Sequence, residues 1–208
     1  MAQPIPTFAV EARAIAQGFT PVAGVDEAGR GPLAGPVVAA AVILDPRAIP
    51  AGLADSKMLD EANRESLYDA ISASALACAI ASASAIRIDA TDIRKATLHA
   101  MSRAVAALSL PARHVLVDGR DVPPLPLGIT GEAIVDGDAL VLSIAAASIL
   151  AKVHRDRLMR HVDLAHPGYG FAIHKGYGTK AHREAIATRG PCVIHRMTFG
   201  SLKGAREK

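Results

Sequence analysis

The chain has no tryptophan, three tyrosines and four phenylalanines, so alanine, valine, isoleucine and leucine must fill any core it forms. An aromatic in a polar setting then needs a separate reason. Its two cysteines, Cys78 and Cys192, lie far apart and outside any Cys-x-x-Cys pair, which argues against a disulfide scaffold or a cysteine zinc site and fits a reducing cytoplasm. The opening residues show no basic segment followed by an apolar run, so no secretory signal is read. The uncharged, mainly apolar run of thirteen residues between Asp138 and Lys152 has the length of a buried helix and is too short for a bilayer. The expectation is a cytoplasmic monomer with no membrane partner.

What is present suits one globular domain: 208 residues, 50% hydrophobic and 21% charged, enough to bury a core and too apolar for disorder. The net charge of +3 conceals an asymmetry, because residues 1–150 carry a net −5 and residues 151–208 a net +8 with six of the eight histidines. One domain over 1–208 is expected, with a core at about 20–165 and a basic substrate-binding segment at about 166–208. An acidic body with a basic arm suits a polyanion, while a solvated basic helix surface is the plainer alternative.

Periodicity gives the elements. A short helix is expected at 8–17, and Val22 to Leu44 reads as two apolar strands around a Gly/Pro-rich turn. Helical spacing with acids in the first turn covers Asp60 to Ile71, and Leu76 to Ile88 reads as a third strand. The clearest helical stripe is Ile93, Thr97, Met101, Val105 and Leu108, stopped by Pro111. His114 to Asp118 and Ala133 to Asp136 read as short buried strands, Val141 to Val162 as a long helix, and the tail as a glycine-rich loop followed by another helix. The outcome is an α/β fold, a mixed sheet with helices on its faces, whose sites gather at strand ends.

Four carboxylates, Asp26, Glu27, Asp118 and Asp138, stand beside glycine or within apolar segments. Buried acids are costly unless paired or converging on a cation. Four of them without Cys or His companions describe a hard-oxygen site for Mg²⁺ or Mn²⁺. Two such ions suit phosphodiester hydrolysis, one activating water and one stabilising the leaving oxygen. Neighbouring strand residues point to opposite faces, so Asp26 and Glu27 share a site only where the strand ends or bulges, as Gly29 and Gly31 would permit. The spacing Gly29-x-Gly31-x-x-x-Gly35 is no dinucleotide fingerprint, and there is neither a P-loop nor a Gly-x-Ser-x-Gly elbow. The triplets Val117-Asp118-Gly119 and Val135-Asp136-Gly137 lack the Ser or Thr an aspartic hydrolase wants after its Asp.

The run GVDEAGRGPLAGPV at 24–37 resembles the signature of the bacterial ribonuclease HII family, type 2 ribonuclease H. Further matches follow in order: Asp55-Ser56-Lys57, Val117-Asp118-Gly119, Gly137-Asp138, the run from Ala146 to Asp156, and Tyr169-Gly170-Phe171 with His174-Lys175-Gly176-Tyr177-Gly178-Thr179. The resemblance implies an RNase H-like five-stranded mixed sheet flanked by helices, with a basic helical carboxy-terminal extension. It implies an endonuclease, dependent on two Mg²⁺ or Mn²⁺ ions, that cuts the RNA strand of RNA/DNA hybrids. DNA containing single ribonucleotides is included, cut on the 5′ side to leave 3′-OH and 5′-phosphate ends.

By motif, Asp26, Glu27, Asp118 and Asp138 match the family's metal-binding carboxylates. The family usually has Lys-Gly-Asp where this chain has Asp136-Gly137-Asp138; the ten residues from Asp138 to Ser148 fit the family spacing and favour Asp138 over Asp136. Gly29, Arg30 and Gly31 match the motif that contacts the ribonucleotide, whose 2′-OH distinguishes RNA from DNA. Tyr177 matches the tyrosine that packs on the following sugar, and Ser148 belongs to the same substrate-binding set. Lys57, Lys152 and Lys175 would bind phosphates, which positions a duplex without reading sequence. Asp156 reads as an ion-pair partner of its neighbouring arginines, and Tyr169 as either a contact or a loop anchor. A non-catalytic nucleic-acid-binding module, or another metal-dependent nuclease on the same fold, is the alternative.

Overall fold

The computed structural model describes residues 5–202, so the last six residues of the basic segment lie outside it. Helix α1 (Ala9–Ala16) leads into β1 (Val22–Ala28) and β2 (Val37–Ile43), followed by α2 (Glu61–Ser74) and β3 (Ala77–Ala83). Then come α3 (Ala85–Ala90), α4 (Ile93–Ala106), β4 (His114–Asp118) and β5 (Thr130–Ile134). The chain continues through α5 (Gly137–Leu140), the 24-residue α6 (Leu142–Ala165), α7 (Phe171–His174), α8 (Lys180–Arg189) and a 3-10 turn at Gly200–Leu202. No helix of the described residues is long and apolar enough to cross a membrane.

The five strands lie in the order β3-β2-β1-β4-β5, antiparallel across β1, β2 and β3 and parallel from β1 through β4 to β5. This is the mixed sheet expected. β2, Val-Val-Ala-Ala-Ala-Val-Ile, is buried throughout because both its faces are covered. Its odd positions join Ala23 and Val25 against Ala100, Met101 and Val105 of α4. Its even positions pack with Ile71 of α2 and with Ala145, Ile149 and Leu150 of α6. Small side chains let α6 lie directly on the sheet. A Cβ placed on Gly24 of β1 would stand 2.1 Å from the backbone carbon of Ser143, so only glycine fits there.

Two expectations shift. The third strand ends at Ala83 instead of running to Ile88, because Ser84 accepts a hydrogen bond from the Arg87 amide and caps α3. The helix expected on the Ile93 stripe does begin at Ile93, where Asp92 caps α4 by accepting from the Lys95 amide at 2.7 Å. The last strand spans Thr130–Ile134 rather than 133–136. Asp136 leaves the sheet in a left-handed conformation, φ 55°.

Replacing Gly24 by alanine drives a methyl group into the α6 backbone and is expected to cost about 3 kcal/mol, read as a lower urea midpoint at unchanged m. A change under about 0.5 kcal/mol would mean that α6 can move off the sheet.

Candidate active site

The parallel pairing of β1 with β4 ends at Val25 and Val117, while β1 stays in register with β2 through Ala28. No bulge forms, contrary to the break the sequence suggested. Asp26 and Glu27 keep the alternation of a regular strand, and the sheet opens beside them on the β4 side. Asp26 is directed to the α6 face near Ser148, and Glu27 also borders α4 beside Thr97 and Met101. Beyond the end of the ladder both still line one groove of about 290 Å³ with Asp118 and Asp138. Asp118 ends β4, as expected. Asp138 sits in the first turn of α5 instead of at a strand end.

The carboxylates are under electrostatic load. Burial pushes the Asp26 carboxyl well above the usual range, and the charges of Glu27 and Asp118 add to it. Burial raises Glu27 too, partly offset by Arg30, whose Nη1 is 3.2 Å from Oε1. Burial and the Asp138 charge raise Asp118, against the Gly137 amide that donates to its Oδ1 at 2.8 Å. Lys57 donates to Asp138 Oδ2 at 3.0 Å. Burial alone would lower the Lys57 ammonium, but Asp138, Asp55 and Asp26 outweigh it and raise it. Among the described residues no three His, Cys, Asp or Glu side chains form a ready-made ligand cluster, and two of the acids, Asp138 and Glu27, are paired with Lys57 and Arg30. A set of oxygen donors that repel one another in a buried groove still fits a hard divalent cation.

The groove is also lined by Gly29, Arg30 and Gly31 together with Tyr177, Lys152, Ser148 and Ser56. Ser148 and Ser56 share a hydrogen bond at 2.9 Å. A Cβ on Gly31 would stand 3.8 Å from Tyr177 Cε1, which puts the aromatic ring beside the glycine-arginine-glycine turn. Lys152 pairs with Asp156 at 2.8 Å, so Asp156 has a lysine partner rather than the neighbouring arginines. Lys175 does not line the groove. It takes a left-handed backbone, φ 53°, and turns its Nζ to the Ala172 carbonyl. Tyr169 anchors its loop, donating from its hydroxyl to the Gly190 carbonyl at 2.7 Å and stacking on Phe171.

The Ribonuclease HII family model matches residues 23–202. The chain belongs to the ribonuclease HII family. Its relatives include the Ribonuclease HII of Rhizobium meliloti (strain 1021), 61% identical over 94% of this chain and 90% of the relative. That of Brucella ovis is 56% identical over 96% and 90%. Among solved structures, ribonuclease H2 from Pyrococcus horikoshii OT3 aligns with a TM-score of 0.76 at 27% identity over 89% of this chain and 97% of that one. Bst-RNase HIII in complex with Mn²⁺ shares the fold, TM-score 0.69 at 19% identity, over 89% of this chain and 69% of that one. Family membership makes this chain an endoribonuclease of the ribonuclease H type.

The ribonuclease HII signature loop is held by two residues that sequence reasoning missed. Arg196, fully buried, donates to the carbonyls of Gly29 at 2.6 Å, Arg30 at 2.7 Å and Gly35 at 2.9 Å. Arg155, also buried, donates to Ala34, Pro36 and Lys175 carbonyls. Neither has a carboxylate within ion-pair distance among the described residues. Burial, with the nearby Arg155 charge, pushes Arg196 down to about 9. The basic count of this region is therefore less available to substrate than it looked. Arg157 and Arg160 are likewise engaged, by Glu65 and Glu61 of α2.

Arg196→Met leaves three loop carbonyls without their donor and is expected to cost about 3 kcal/mol in denaturant unfolding. Arg30→Ala, at an exposed ion pair, should change stability by under about 1 kcal/mol. Equal costs for the two would contradict the clamp.

Proposed function

We propose that this endoribonuclease hydrolyses the RNA strand of RNA/DNA hybrids and nicks on the 5′ side of ribonucleotides embedded in duplex DNA, leaving 3′-OH and 5′-phosphate ends. The observation that carries this reading is the groove itself. It brings four mutually repelling carboxylates together with a glycine-rich backbone that has an aromatic ring beside it. Acids alone repel phosphate, so they belong in a nucleic-acid site only with cations between.

Asp26, Glu27, Asp118 and Asp138 would hold two divalent ions, Mg²⁺ or Mn²⁺, in keeping with the Mn²⁺ complex of the fold neighbour Bst-RNase HIII. When bound, such ions activate water and neutralise charge on the leaving oxygen. The Gly29–Gly31 backbone approaches a ribose closely because it carries little side chain, and its amides and carbonyls suit the 2′-OH as donor and acceptor. Tyr177, 46% exposed, offers its ring to the next sugar. Ser148 keeps a hydroxyl against Asp26 and lowers the cost of its charge. Lys57 and Arg30 reach toward backbone phosphates once cations take over their present acid partners, Asp138 and Glu27, and Lys152, paired with Asp156, lines the same groove. Lys175 acts indirectly, through the carbonyl it gives Arg155. These groups come from one chain, which supports a monomer; Cys78 and Cys192, both unbridged, suit the reducing cytoplasm.

Asp118→Asn removes cation-binding charge but no basic contact. It should lower turnover about a thousandfold or more in Mg²⁺ while duplex affinity stays within about threefold. The assay uses paired substrates, one with a single ribonucleotide in DNA and one a continuous hybrid. Near-normal turnover by the variant, or inactivity of the parent enzyme on both duplexes, would overturn the assignment.

A further inference from the structure

Behind the Tyr177 loop lies a cluster of imidazoles that the groove does not use. His182 of α8 and His195 are almost completely buried, 0% and 2% exposed. The partners of their nitrogens fix where the protons are. His182 Nδ1 lies 2.9 Å from the Tyr177 carbonyl, and a carbonyl can only accept, so Nδ1 carries a proton. His195 Nδ1 lies 2.9 Å from the Cys192 amide, which can only donate, so that nitrogen is bare. The two Nε2 atoms are 3.1 Å apart. The His195 Nε2–H therefore donates to the bare Nε2 of His182, and the two neutral rings hold opposite tautomers. The Cys192 carbonyl, 3.2 Å from His195 Nδ1, offers no alternative. A proton moved there would face the Cys192 N–H and leave two bare Nε2 atoms opposed.

The result is one directional chain from the Cys192 amide through His195 and His182 to the Tyr177 carbonyl. Tyr177 is otherwise held by its backbone. Its amide donates to His174 at 2.9 Å, its carbonyl also accepts from Thr179 at 2.8 Å, and the left-handed residues Lys175 and Gly176 precede it. Its hydroxyl makes no hydrogen bond among the described residues. The place of the ring beside Gly31 is thus set from the main chain.

We propose that His182 and His195 are positioning residues for substrate recognition, holding the Tyr177 carbonyl, and through it the ring, where a ribonucleotide-containing duplex packs. The proposal rests on the substrate role assigned above to Tyr177.

A pH dependence follows from the same geometry. A proton added to His182 lands on Nε2 and faces the His195 Nε2–H; one added to His195 lands on Nδ1 and faces the Cys192 N–H. Either breaks the chain. The titratable groups around the pair are His174, stacked on His182 at 4.3 Å, Tyr169, 5.2 Å from His195, His166 and the Cys192 thiol. The adjoining Arg196 turns to the loop carbonyls. No carboxylate hydrogen-bonds to either ring among the described residues. Burial, with neighbouring histidine charge, pushes His195 down to about 4 and lowers His182 as well. A histidine depressed on folding favours the unfolded state in acid. The chain's contribution is whole above about pH 6.5 and is lost as pH falls from there toward about 4.

Two-bond ¹H–¹⁵N correlation spectra of the histidine-labelled full chain at neutral pH read the tautomers directly, with His182→Asn and His195→Gln assigning the signals. The expected result is His182 protonated on Nδ1 and His195 on Nε2, neither titrating near pH 6.5. The same tautomer in both rings, or ordinary titration, overturns the chain. In steady-state cleavage of a single-ribonucleotide duplex, His182→Phe keeps a ring without nitrogens and should raise KM about tenfold with kcat within about threefold. His182→Asn restores an N–H to the Tyr177 carbonyl and should recover most of the loss. An unchanged KM in His182→Phe, a loss confined to kcat, or no rescue by asparagine overturns the positioning role. If His182→Phe does not fold, His195→Phe replaces it: losing the Nε2 link should raise KM with kcat within about threefold, and an unchanged KM overturns the positioning role. A parent enzyme that binds neither duplex rejects the functional reading instead, and the tautomers, read without substrate, still test the chain.

Discussion

Mutual repulsion among buried carboxylates is the constraint around which this molecule is arranged. Asp26, Glu27 and Asp118 are each raised first by burial, and each also feels another acid of the groove. Left to themselves such groups would protonate or spread apart. They are held because β1 cannot yield: it is paired to β2 through Ala28, and its Gly24 is pressed against the α6 backbone. The Gly137 amide fixes Asp118, while Lys57 and Arg30 shield Asp138 and Glu27. The two-sided core of β2 supplies the rigidity that this strained arrangement draws upon.

The glycine-rich part of the groove solves a converse problem. A glycine-rich loop able to approach a ribose has few side chains to hold it, so its carbonyls are gripped from behind. Arg196 and Arg155 between them take five carbonyls of the 29–36 segment and one from Lys175. The carboxy-terminal segment also adds main-chain bonds, Gly35 to Ile194 and Arg196 to Leu33. Much of the positive charge of residues 151–208 is thus engaged in architecture, and of the cations lining the groove two, Arg30 and Lys57, come from the acidic body and two, Lys152 and the clamp Arg155, from the basic segment.

Asp26, Glu27 and Asp118 were legible in the sequence because a carboxylate beside glycine at the end of an apolar strand has no ordinary core role, whereas Asp138 reaches the same groove from the first turn of α5. Four of the five strands were legible for the same reason of pattern. β5 was misplaced because Thr130, Gly131 and Glu132 are exposed edge residues with no apolar alternation. Ser84 hid a helix cap inside what read as a continuing strand. Arg155 and Arg196 were not legible as clamps, since an isolated arginine looks alike whether its guanidinium meets water or buried carbonyls. Lys175 misled for a backbone reason, its left-handed conformation, which no side-chain pattern announces.

The central claim, that the acid cluster is a cation site maintained against its own repulsion, is most directly tested by thermal unfolding of the parent chain and of Asp26→Asn at pH 8, with and without Mn²⁺. The account expects the metal-free variant to melt higher than the metal-free parent, since one repelling buried charge is gone, and Mn²⁺ to raise the melting temperature of the parent only. A metal-free variant that melts lower, with an Mn²⁺ response equal to the parent's, would contradict it.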